Sequence, residues 1–373
     1  MFLALREIRH SRARFILITV VIFLVSFLVY FLTGLAHGLS SSYTEAIEGW
    51  KAHSLVMTKD ANKSPTASYI DQEALDAITA HSSDYGLLSV TPSVLNVPGS
   101  EDDGTGEDNS DDDGEDTREN VFIFGLDPDG SLAPTLKDGR LPAADNELVI
   151  DAELVRQGLH MGDTLTLPDV DTIWTITGIS AHSRFQATPT VTMTRPAFEA
   201  AYGEMRPSAA SAVVLHKAAN SELIDAAADH DLEVIATDDF VDNLPGYRAQ
   251  NLTFGLMIGS LIAILTLVLG IFVYVLTIQK KHIFGIMKAQ GVRTSYIVTS
   301  GVMQTLVLAI IGVGLGLAAA AGLGIALQGP MPFRIDPAIY GALTVAFIVF
   351  TVLGGLIPIR TISRIDPIEV IDS

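Results

Sequence analysis

Four long apolar runs, separated by polar segments, are the main pattern of this chain. They extend over residues 15–36, 252–278, 296–327 and 338–359, and none contains Asp, Glu, Lys or Arg. Each exceeds the length of about 18 to 20 apolar residues with which a helix crosses the hydrocarbon core of a membrane. The pattern predicts an α-helical membrane protein with four transmembrane helices and one large domain between helices 1 and 2.

Basic residues indicate which ends of these helices face the cytoplasm. Arginines precede the first run and follow the fourth, and four Lys and Arg residues lie between the second and the third. Because cytoplasmic segments carry an excess of such residues, both termini are predicted to be cytoplasmic and the large domain extracellular. The first run is longer than the apolar part of a secretory signal, so we interpret it as a retained anchor in the plasma membrane.

The runs and the polar segments between them give a predicted segment map. A cytoplasmic amphipathic helix (1–14) precedes transmembrane helix 1, which extends outward as a stalk (15–40), and the extracellular α+β domain (41–250). Then follow transmembrane helix 2 (251–278), a cytoplasmic helix (279–295), helix 3 (296–327), an extracellular loop (328–337), helix 4 (338–359) and a cytoplasmic tail (360–373).

Short β-like runs alternate with helical ones in the large domain. Strand patterns begin near residues 54, 87, 120, 147, 163, 171, 190 and 213, and helical spacing covers 71–80, 152–158, 196–202, 221–229 and 238–244. Residues 99–120 are acidic and lack apolar side chains, which predicts a disordered loop. A calcium site with Asn109, Asp111 and Asp113 is the less favoured interpretation, because Asn120 stands where an EF-hand loop needs Glu.

Charge and composition narrow the function. The formal net charge of −20 falls almost wholly in the predicted extracellular domain, so neither sign nor compartment suits a nucleic-acid partner. The chain has no cysteine, which excludes disulfides and thiolate metal sites. It contains no Walker A, H-E-x-x-H or G-x-S-x-G sequence. We therefore expect no catalytic residues, no metal site, no permanently bound cofactor and no ATP hydrolysis by this chain itself.

The third apolar run carries glycines at helical spacing, including Gly312 and Gly316. A nucleotide-binding interpretation fails because no strand precedes them and their surroundings are apolar. Small residues four positions apart instead allow two membrane helices to approach closely. These glycines are predicted to be packing positions.

Three segments carry a family resemblance. The sequence TIQKKHIFGIMKAQGVRTSYI (277–297) resembles the cytoplasmic loop of ABC-transporter permeases of the FtsX/MacB type, although His282 or Ile283 stands where that family usually has Glu. RTISRIDPIEVI (360–371) is similar to the C-terminal tail of the family, and DGRLPAADNELVIDAELVRQGLHMGDTLTL (138–167) to its extracellular domain. The resemblance implies a separate ABC ATPase, which uses ATP, and a homodimer of permeases in the lipid membrane.

The cytoplasmic segment between the second and third runs is amphipathic. Phe284, Ile286, Met287 and Ala289 form an apolar face among basic residues, and Gly291 lies where a helix C-cap is expected. A helix lying on the membrane surface is one interpretation. The resemblance instead implies a coupling helix seated on the ATPase, with the following residues: Ile283, Phe284, Gly285, Met287, Lys288, Ala289 and Gly291.

A stripe along the first run and its extension bears on the substrate. Phe23, Phe27, Tyr30, Gly34, His37, Ser41 and Glu48 recur at steps of three or four residues, or multiples of them, and so share one helical face. A seam packed against another helix is the favoured interpretation, and a groove for a flat amphiphile is the alternative.

FLTGLAHGLSSSYTEAIEGW (31–50) and DANKSPTASYI (60–70) are similar to haem-exporting members of the family. That likeness implies capture of haem from the outer leaflet, with a carboxylate as a possible axial ligand. The candidate substrate-binding residues are Phe27, Tyr30, His37, Tyr43, Glu45 and Glu48. Two alternatives stay open: control of an extracellular cell-wall hydrolase, as FtsX-like members do, and export of peptides or antibiotics.

Overall fold

The computed structural model describes residues 12–97, 117–168, 170–279, 286, 290–327 and 331–363. The chain divides into a membrane unit, Met1–Leu39 with Gln250–Ser373, and an α/β domain, Ser40–Ala249. The predicted N-terminal helix up to residue 11, most of the acidic segment with its calcium alternative, and the tail from residue 364 lie outside the described residues.

Along the chain, the short helices and strands of the α/β domain come between the long helices of the membrane unit. The helices are α1 (Arg12–Trp50), α2 (Gln72–Thr79), α3 (Ala152–Arg156), α4 (Arg195–Tyr202), α5 (Ser221–Asp229), α6 (Thr237–Asp242), α7 (Tyr247–Gln279), α8 (Thr294–Ala326) and α9 (Pro337–Ser363). The strands are β1 (Ser54–Thr58), β2 (Tyr85–Val97), β3 (Thr117–Leu126), β4 (Leu136–Gly139), β5 (Glu147–Asp151), β6 (Thr164–Leu167), β7 (Val170–Ser180), β8 (Thr190–Thr194), β9 (Ala212–Leu215) and β10 (Leu232–Ala236).

Helices of membrane-spanning length and composition are present as predicted. In the described part of the chain, Phe15–Trp50, Tyr247–Phe272 and Thr299–Ala326 are long and apolar enough to cross a membrane, and Pro337–Leu353 is a shorter apolar helix. The prediction of membrane helices combined with a large α/β domain is therefore confirmed. The number of four spans stays a prediction.

Helix α1 packs closely on α8 in the membrane unit. A Cβ atom added to Gly312 would lie 2.6 Å from Cγ2 of Ile22, and one added to Gly316 would lie 2.1 Å from Oγ of Ser26. The Ser26 hydroxyl donates a hydrogen bond to the carbonyl oxygen of Gly312 at 3.3 Å. The prediction that these glycines are packing positions is confirmed, because no larger side chain fits between the two helices.

One mixed sheet forms the frame of the α/β domain. Among the described residues its ten strands run in the order β10-β1-β9-β2-β3-β8-β5-β7-β4, with β6 paired to β7. The pairs β3–β8 and β5–β7 are parallel and the others are antiparallel. Strand β2 pairs with β9 through its first residues and with β3 through the rest, so it joins the two halves of the sheet.

The strands β4 and β10 are missing from the sequence prediction. Strand β4 has the sequence LKDG and mostly exposed side chains, so it carries no apolar alternation. Strand β10, LEVIA, is short and follows α5 with only two residues between them. The strands β10 and β4 stand at the two ends of the strand order, and β6 pairs with β7 beside that order. Both form because a neighbouring strand offers hydrogen bonds, and their own sequence pattern does not predict them.

Arg140, in the segment 138–167 that resembles the extracellular domain of the family, has a structural role. The Arg140 guanidinium donates to Oε2 of Glu147 at 2.6 Å, and the same oxygen accepts from the backbone N–H of Ala143 at 2.9 Å. These bonds, first of all that from Arg140, lower the pKa of Glu147 from 4.5 to about 2. The motif therefore ties the segment before β5 to that strand.

Candidate functional site

The last turns of α1 belong to the core of the α/β domain. Ala46, Ile47 and Trp50 are buried in one cluster with Phe124 and Phe240. The spacing of three and four residues explains this, because it places these side chains on one face of the helix. The same helix that carries the first apolar run thus ends inside a folded domain, and the candidate carboxylates Glu45 and Glu48 are located there.

Glu48 lines an open cleft of about 420 Å³. The other lining residues include Thr44 and Lys51 of α1, Asp238 and Asp242 of α6, and Tyr247 at the start of α7. The Glu48 side chain is exposed, and its Oε1 accepts a hydrogen bond from Oγ1 of Thr44 at 2.8 Å. The exposed Glu48 carboxylate thus adjoins a cleft that is lined by more carboxylates than cations.

Glu45 has a different environment, although it is only three residues away. Its side chain is 2% exposed and accepts hydrogen bonds from Nε and Nη2 of Arg184, at 3.1 and 3.3 Å. Nδ1 of His182 lies 3.5 Å from the same carboxylate. Glu45 lines a smaller cavity with Trp50 and Phe124, so the two candidate carboxylates do not share one site.

The charge of Arg184 is stabilised by its neighbours. Burial lowers the pKa of the guanidinium, but the hydrogen bond to Glu45 and the negative charges of Glu45, Asp151 and Glu153 outweigh that effect, so the net shift is upward. Nη1 of Arg184 also lies 3.6 Å from Oε2 of Glu153. The guanidinium therefore connects α1 with α3.

The candidate residues in the membrane unit lie along α1. Tyr30 is fully buried, shares a 2.7 Å hydrogen bond with Oγ1 of Thr344 and stacks on Tyr340 at 5.4 Å between ring centroids. Gly34 accepts a hydrogen bond at its carbonyl from the backbone N–H of Arg334 at 3.1 Å. For Tyr30 and Gly34 the stripe is thus an internal seam, as the favoured interpretation had it.

Phe27 and His37 are more accessible than Tyr30, since both are half-buried. Phe27 lies in a stack between Phe23 and Phe31, with centroid distances of 6.3 and 6.0 Å. Tyr43, also half-buried, lies in the α/β domain with its ring 5.8 Å from that of Tyr247. Phe27 and His37 belong to the membrane unit, whereas Tyr43 and both carboxylates belong to the α/β domain. The role of Phe27 and His37 as ligands stays a prediction.

Most of the predicted coupling residues lie outside the described residues: Ile283, Phe284, Gly285, Met287, Lys288 and Ala289. Of the neighbouring positions, Ile286 is exposed and its carbonyl accepts from the N–H of Gln290 at 3.0 Å. Gly291 has φ of +86°, the left-handed conformation that commonly follows a helix end. Its predicted place at a C-cap agrees with this backbone geometry.

Arg184 and the loop around it are the residues that the sequence analysis missed. Neither Arg184 nor His182 was among the candidate residues, and no cluster of three or more His, Asp or Glu residues that could hold a metal occurs among the described residues. One signal was available: an acidic residue next to the buried Ala46 requires a cationic partner. Which arginine supplies it depends on the sheet topology and could not be read from spacing.

Comparison with known proteins defines the class. Residues 255–367 match the family described as FtsX-like permease C-terminal. The match covers α8 and α9 and most of α7, that is, the helical part that follows the α/β domain. The resemblance to FtsX-like permeases is thereby confirmed, and the matched residues are those of the membrane unit.

Particular relatives match over the whole length. The chain is 26% identical over 371 residues, 100% of this chain and 99% of the relative, to a protein of Staphylococcus epidermidis that is named, by inference, the hemin transport system permease protein HrtB. It is 25% identical over 373 residues, with the same coverage, to the correspondingly named protein of Staphylococcus haemolyticus. The similarity includes the α/β domain as well as the membrane helices.

Proposed function

We propose that this protein is the permease subunit of an ABC-type efflux system that removes haem, or a closely similar amphiphile, from the membrane with the help of a separate ATPase. The observation that carries the proposal is the similarity along the entire chain to permeases named for hemin transport. The end of α1 supports it, because an exposed carboxylate there adjoins an open cleft. In this proposal haem is the transported substrate and not a resident cofactor.

The proposed arrangement has four spans, cytoplasmic termini and an extracellular α/β domain. Helix α9 has 27 residues, which is a sufficient length for a helix to cross a bilayer. Four spans per chain are few for a pathway, so two copies of the permease with two ATPases form the proposed complex. The positive-inside distribution of Lys and Arg supports the orientation.

The segment 283–291 is proposed to dock on the ATPase. We expect Met287→Asp to uncouple ATP hydrolysis from transport and to weaken co-purification of the ATPase, because an unpaired charge in an apolar contact is unfavourable. Ser295→Asp is the matched control, since Ser295 is exposed in the first turn of α8, where a negative charge is tolerated. Co-purification of the ATPase with Met287→Asp at the wild-type ratio would contradict the docking role.

Glu48 is the leading candidate for the haem ligand at the end of α1. It is exposed to an open cleft, whereas Glu45 would have to leave the Arg184 guanidinium before it could bind iron. A carboxylate or imidazole is a suitable ligand for ferric iron in a chain without cysteine. His37 and Tyr43 are the reserve candidates, because both are half-buried on the same helix.

Haemin titration of the purified permease, followed by absorbance, tests the proposal. We expect a Soret shift with the wild type, a weaker or absent shift with Glu48→Gln, and an unchanged shift with the control Glu73→Gln, which removes an exposed carboxylate on α2. An equal shift in both variants would remove Glu48 as ligand. No shift in the wild type would argue against haem as substrate.

A second candidate function has one observation in its favour. The end of α1 is packed into the α/β domain through the buried Ala46, Ile47 and Trp50. Control of an extracellular hydrolase would require such an attachment of the first membrane helix to that domain. This function predicts that the permease with its ATPase captures and activates a cell-wall hydrolase and leaves haemin unbound. The haemin titration separates the two candidates.

A further inference from the structure

The loop between β7 and β8, residues 181–189, is hydrogen-bonded directly to the backbone of α1. The N–H groups of Gln186 and Ala187 donate to the carbonyl oxygens of Tyr43 and Ser42 at 3.2 and 3.1 Å. The N–H of Ala46 donates in the opposite direction, to the carbonyl oxygen of Arg184, at 3.0 Å. Backbone bonds between a loop and the middle of a helix are unusual, because helical carbonyls normally accept from their own helix.

The conformation of this loop is energetically unfavourable by itself. His182, Gln186 and Ala187 have φ values of 53°, 51° and 62°, in the left-handed region that residues other than glycine rarely adopt. Gln186 and Ala187 are the two central residues of a tight turn that is closed by Phe185 and Thr188. The turn is maintained because its two N–H groups point at α1, which indicates that contact with the helix determines its shape.

Two anchors hold the loop on the sheet. The Phe185 side chain is fully buried, with its ring 6.2 Å from that of Trp50 and 5.2 Å from that of Phe122. Oδ2 of the buried Asp151 accepts from the hydroxyl of Ser183 at 2.7 Å. The loop is therefore a fixed part of the domain and not a mobile connection.

The ion pair between Glu45 and Arg184 completes the contact. The ion pair lies beside one of the backbone bonds. Glu45 directly precedes Ala46, and Arg184 supplies the carbonyl oxygen that accepts from the N–H of Ala46. The Glu45 carboxylate is almost fully enclosed, so its partner cannot be replaced by solvent. Loss of the Glu45 charge would leave Arg184 with Glu153 at 3.6 Å, and loss of the Arg184 charge would leave Glu45 with His182 at 3.5 Å, so either change weakens the contact.

We propose that Glu45 and Arg184 are positioning residues of the transport cycle, which fix the last turns of α1 to the sheet so that this part of the helix and the α/β domain move as one body. The inference rests on the proposed function for its transport readout. It assigns Glu45 a role distinct from iron ligation. Glu48, on the cleft side of the same helix, is then free to contact substrate.

The experiment compares Glu45→Gln with Glu48→Gln in the full-length permease assembled with its ATPase. We expect Glu45→Gln to retain the haemin Soret shift and ATP hydrolysis, to lose haemin efflux, and to exchange its amide hydrogens at residues 42–47 faster than the wild type. Glu48→Gln should show the reverse pattern, with a lost Soret shift and wild-type exchange. Arg184→Gln should behave as Glu45→Gln does.

A cysteine pair distinguishes positioning from other roles. Because the chain has no native cysteine, Ser42→Cys with Ala187→Cys, at the 3.1 Å backbone bond, can be oxidised selectively in the Glu45→Gln background. We expect oxidation to restore slow exchange and efflux, and reduction to abolish both again. Glu45→Gln with the same pair kept reduced is the control.

Three results would overturn the inference. The first is loss of the Soret shift in Glu45→Gln, which would make Glu45 a ligand. The second is wild-type exchange at residues 42–47 in that variant, and the third is failure of the oxidised pair to restore exchange. If the wild type itself shows no haemin efflux, the proposed function fails, while the exchange and disulfide results still decide whether the ion pair positions α1.

Discussion

Helices α1 and α7 each have residues in both units, but the two helices differ in how closely they are packed within each unit. In the most apolar stretch of α1, 33% of the side chains are buried, against 11% in that of α7. At its other end, α1 is enclosed by the sheet core and bound by the β7–β8 loop, whereas α7 begins at the half-buried Tyr247 directly after Gly246, which has φ of +83°.

Continuity of a helix between the two units is therefore distinct from close packing of that helix within each unit. Both helices link the same two units, and both have long apolar sequences. Among the residues that the structure describes, α1 combines close glycine contacts in the membrane unit with a buried ion pair in the α/β domain, and α7 shows neither. We therefore expect substitutions along α1 to be much more harmful than matched substitutions along α7.

The largest effect is expected at the end of α1. Trp50→Ala should destabilise the protein by about 3 to 5 kcal/mol, because truncation of a large buried aromatic side chain leaves a cavity. The matched change on α7, Tyr247→Ala, removes a half-buried ring and one aromatic contact, for which about 1 kcal/mol is expected. Thermal unfolding in detergent measures both, and equal shifts in Tm would contradict the expected difference between α1 and α7.

A smaller effect is expected from glycine substitutions within the membrane unit. Gly316→Val would bring a side chain against Ser26 and the backbone N of Phe27 and should cost about 1 to 3 kcal/mol through overpacking. Gly259→Val on α7 meets no atom within 4 Å of the added Cβ and should leave Tm unchanged. Tolerance of Gly316→Val would show that α1 and α8 are not in close contact in the native protein.

The smallest effect is expected away from both helices, at Glu147 of β5. The folded pKa of Glu147 is about 2, below its ordinary value of 4.5. Its ionisation therefore stabilises the fold above pH 4.5, and this contribution is lost as the pH falls toward 2. The Tm difference between wild type and Glu147→Gln should shrink over that range, with haemin efflux at neutral pH unaffected.

A Tm difference that stays constant from pH 6 to pH 2, chosen as roughly the window of carboxyl titration, would contradict the lowered pKa. Loss of efflux in Glu147→Gln would show that positions remote from α1 also matter for transport. The effect of a substitution on transport would then not depend on α1 alone.

Much of the fold followed from the sequence because the dominant signals are local. The apolar runs require only length and the absence of charge, and helices such as α5 show both an amphipathic face and an Asn220 cap, whose side chain accepts from the N–H of Leu223. The packing role of Gly312 and Gly316 was also predictable, since small residues four positions apart favour close helix approach, whereas their partner α1 was not.

The candidate site was harder to predict, because its decisive contacts are distant in sequence. Glu45 and Glu48 look alike in the sequence, yet one meets Arg184, 139 residues away, and the other faces a cleft. Burial of Tyr30 against Tyr340 likewise depends on how α9 returns to α1. Helical spacing identifies the face of a helix but does not say what covers that face.

ATP-driven removal of haemin from vesicles is the measurement that tests the proposed transport function most directly. The wild-type permease and its ATPase are reconstituted in liposomes loaded with haemin, and release to an external haem-binding protein is followed by absorbance. We predict release that requires ATP, fails when the permease is omitted, and is lost in both Glu48→Gln and Glu45→Gln but not in Glu73→Gln. Release at the same rate without ATP or without the permease would contradict the proposed function.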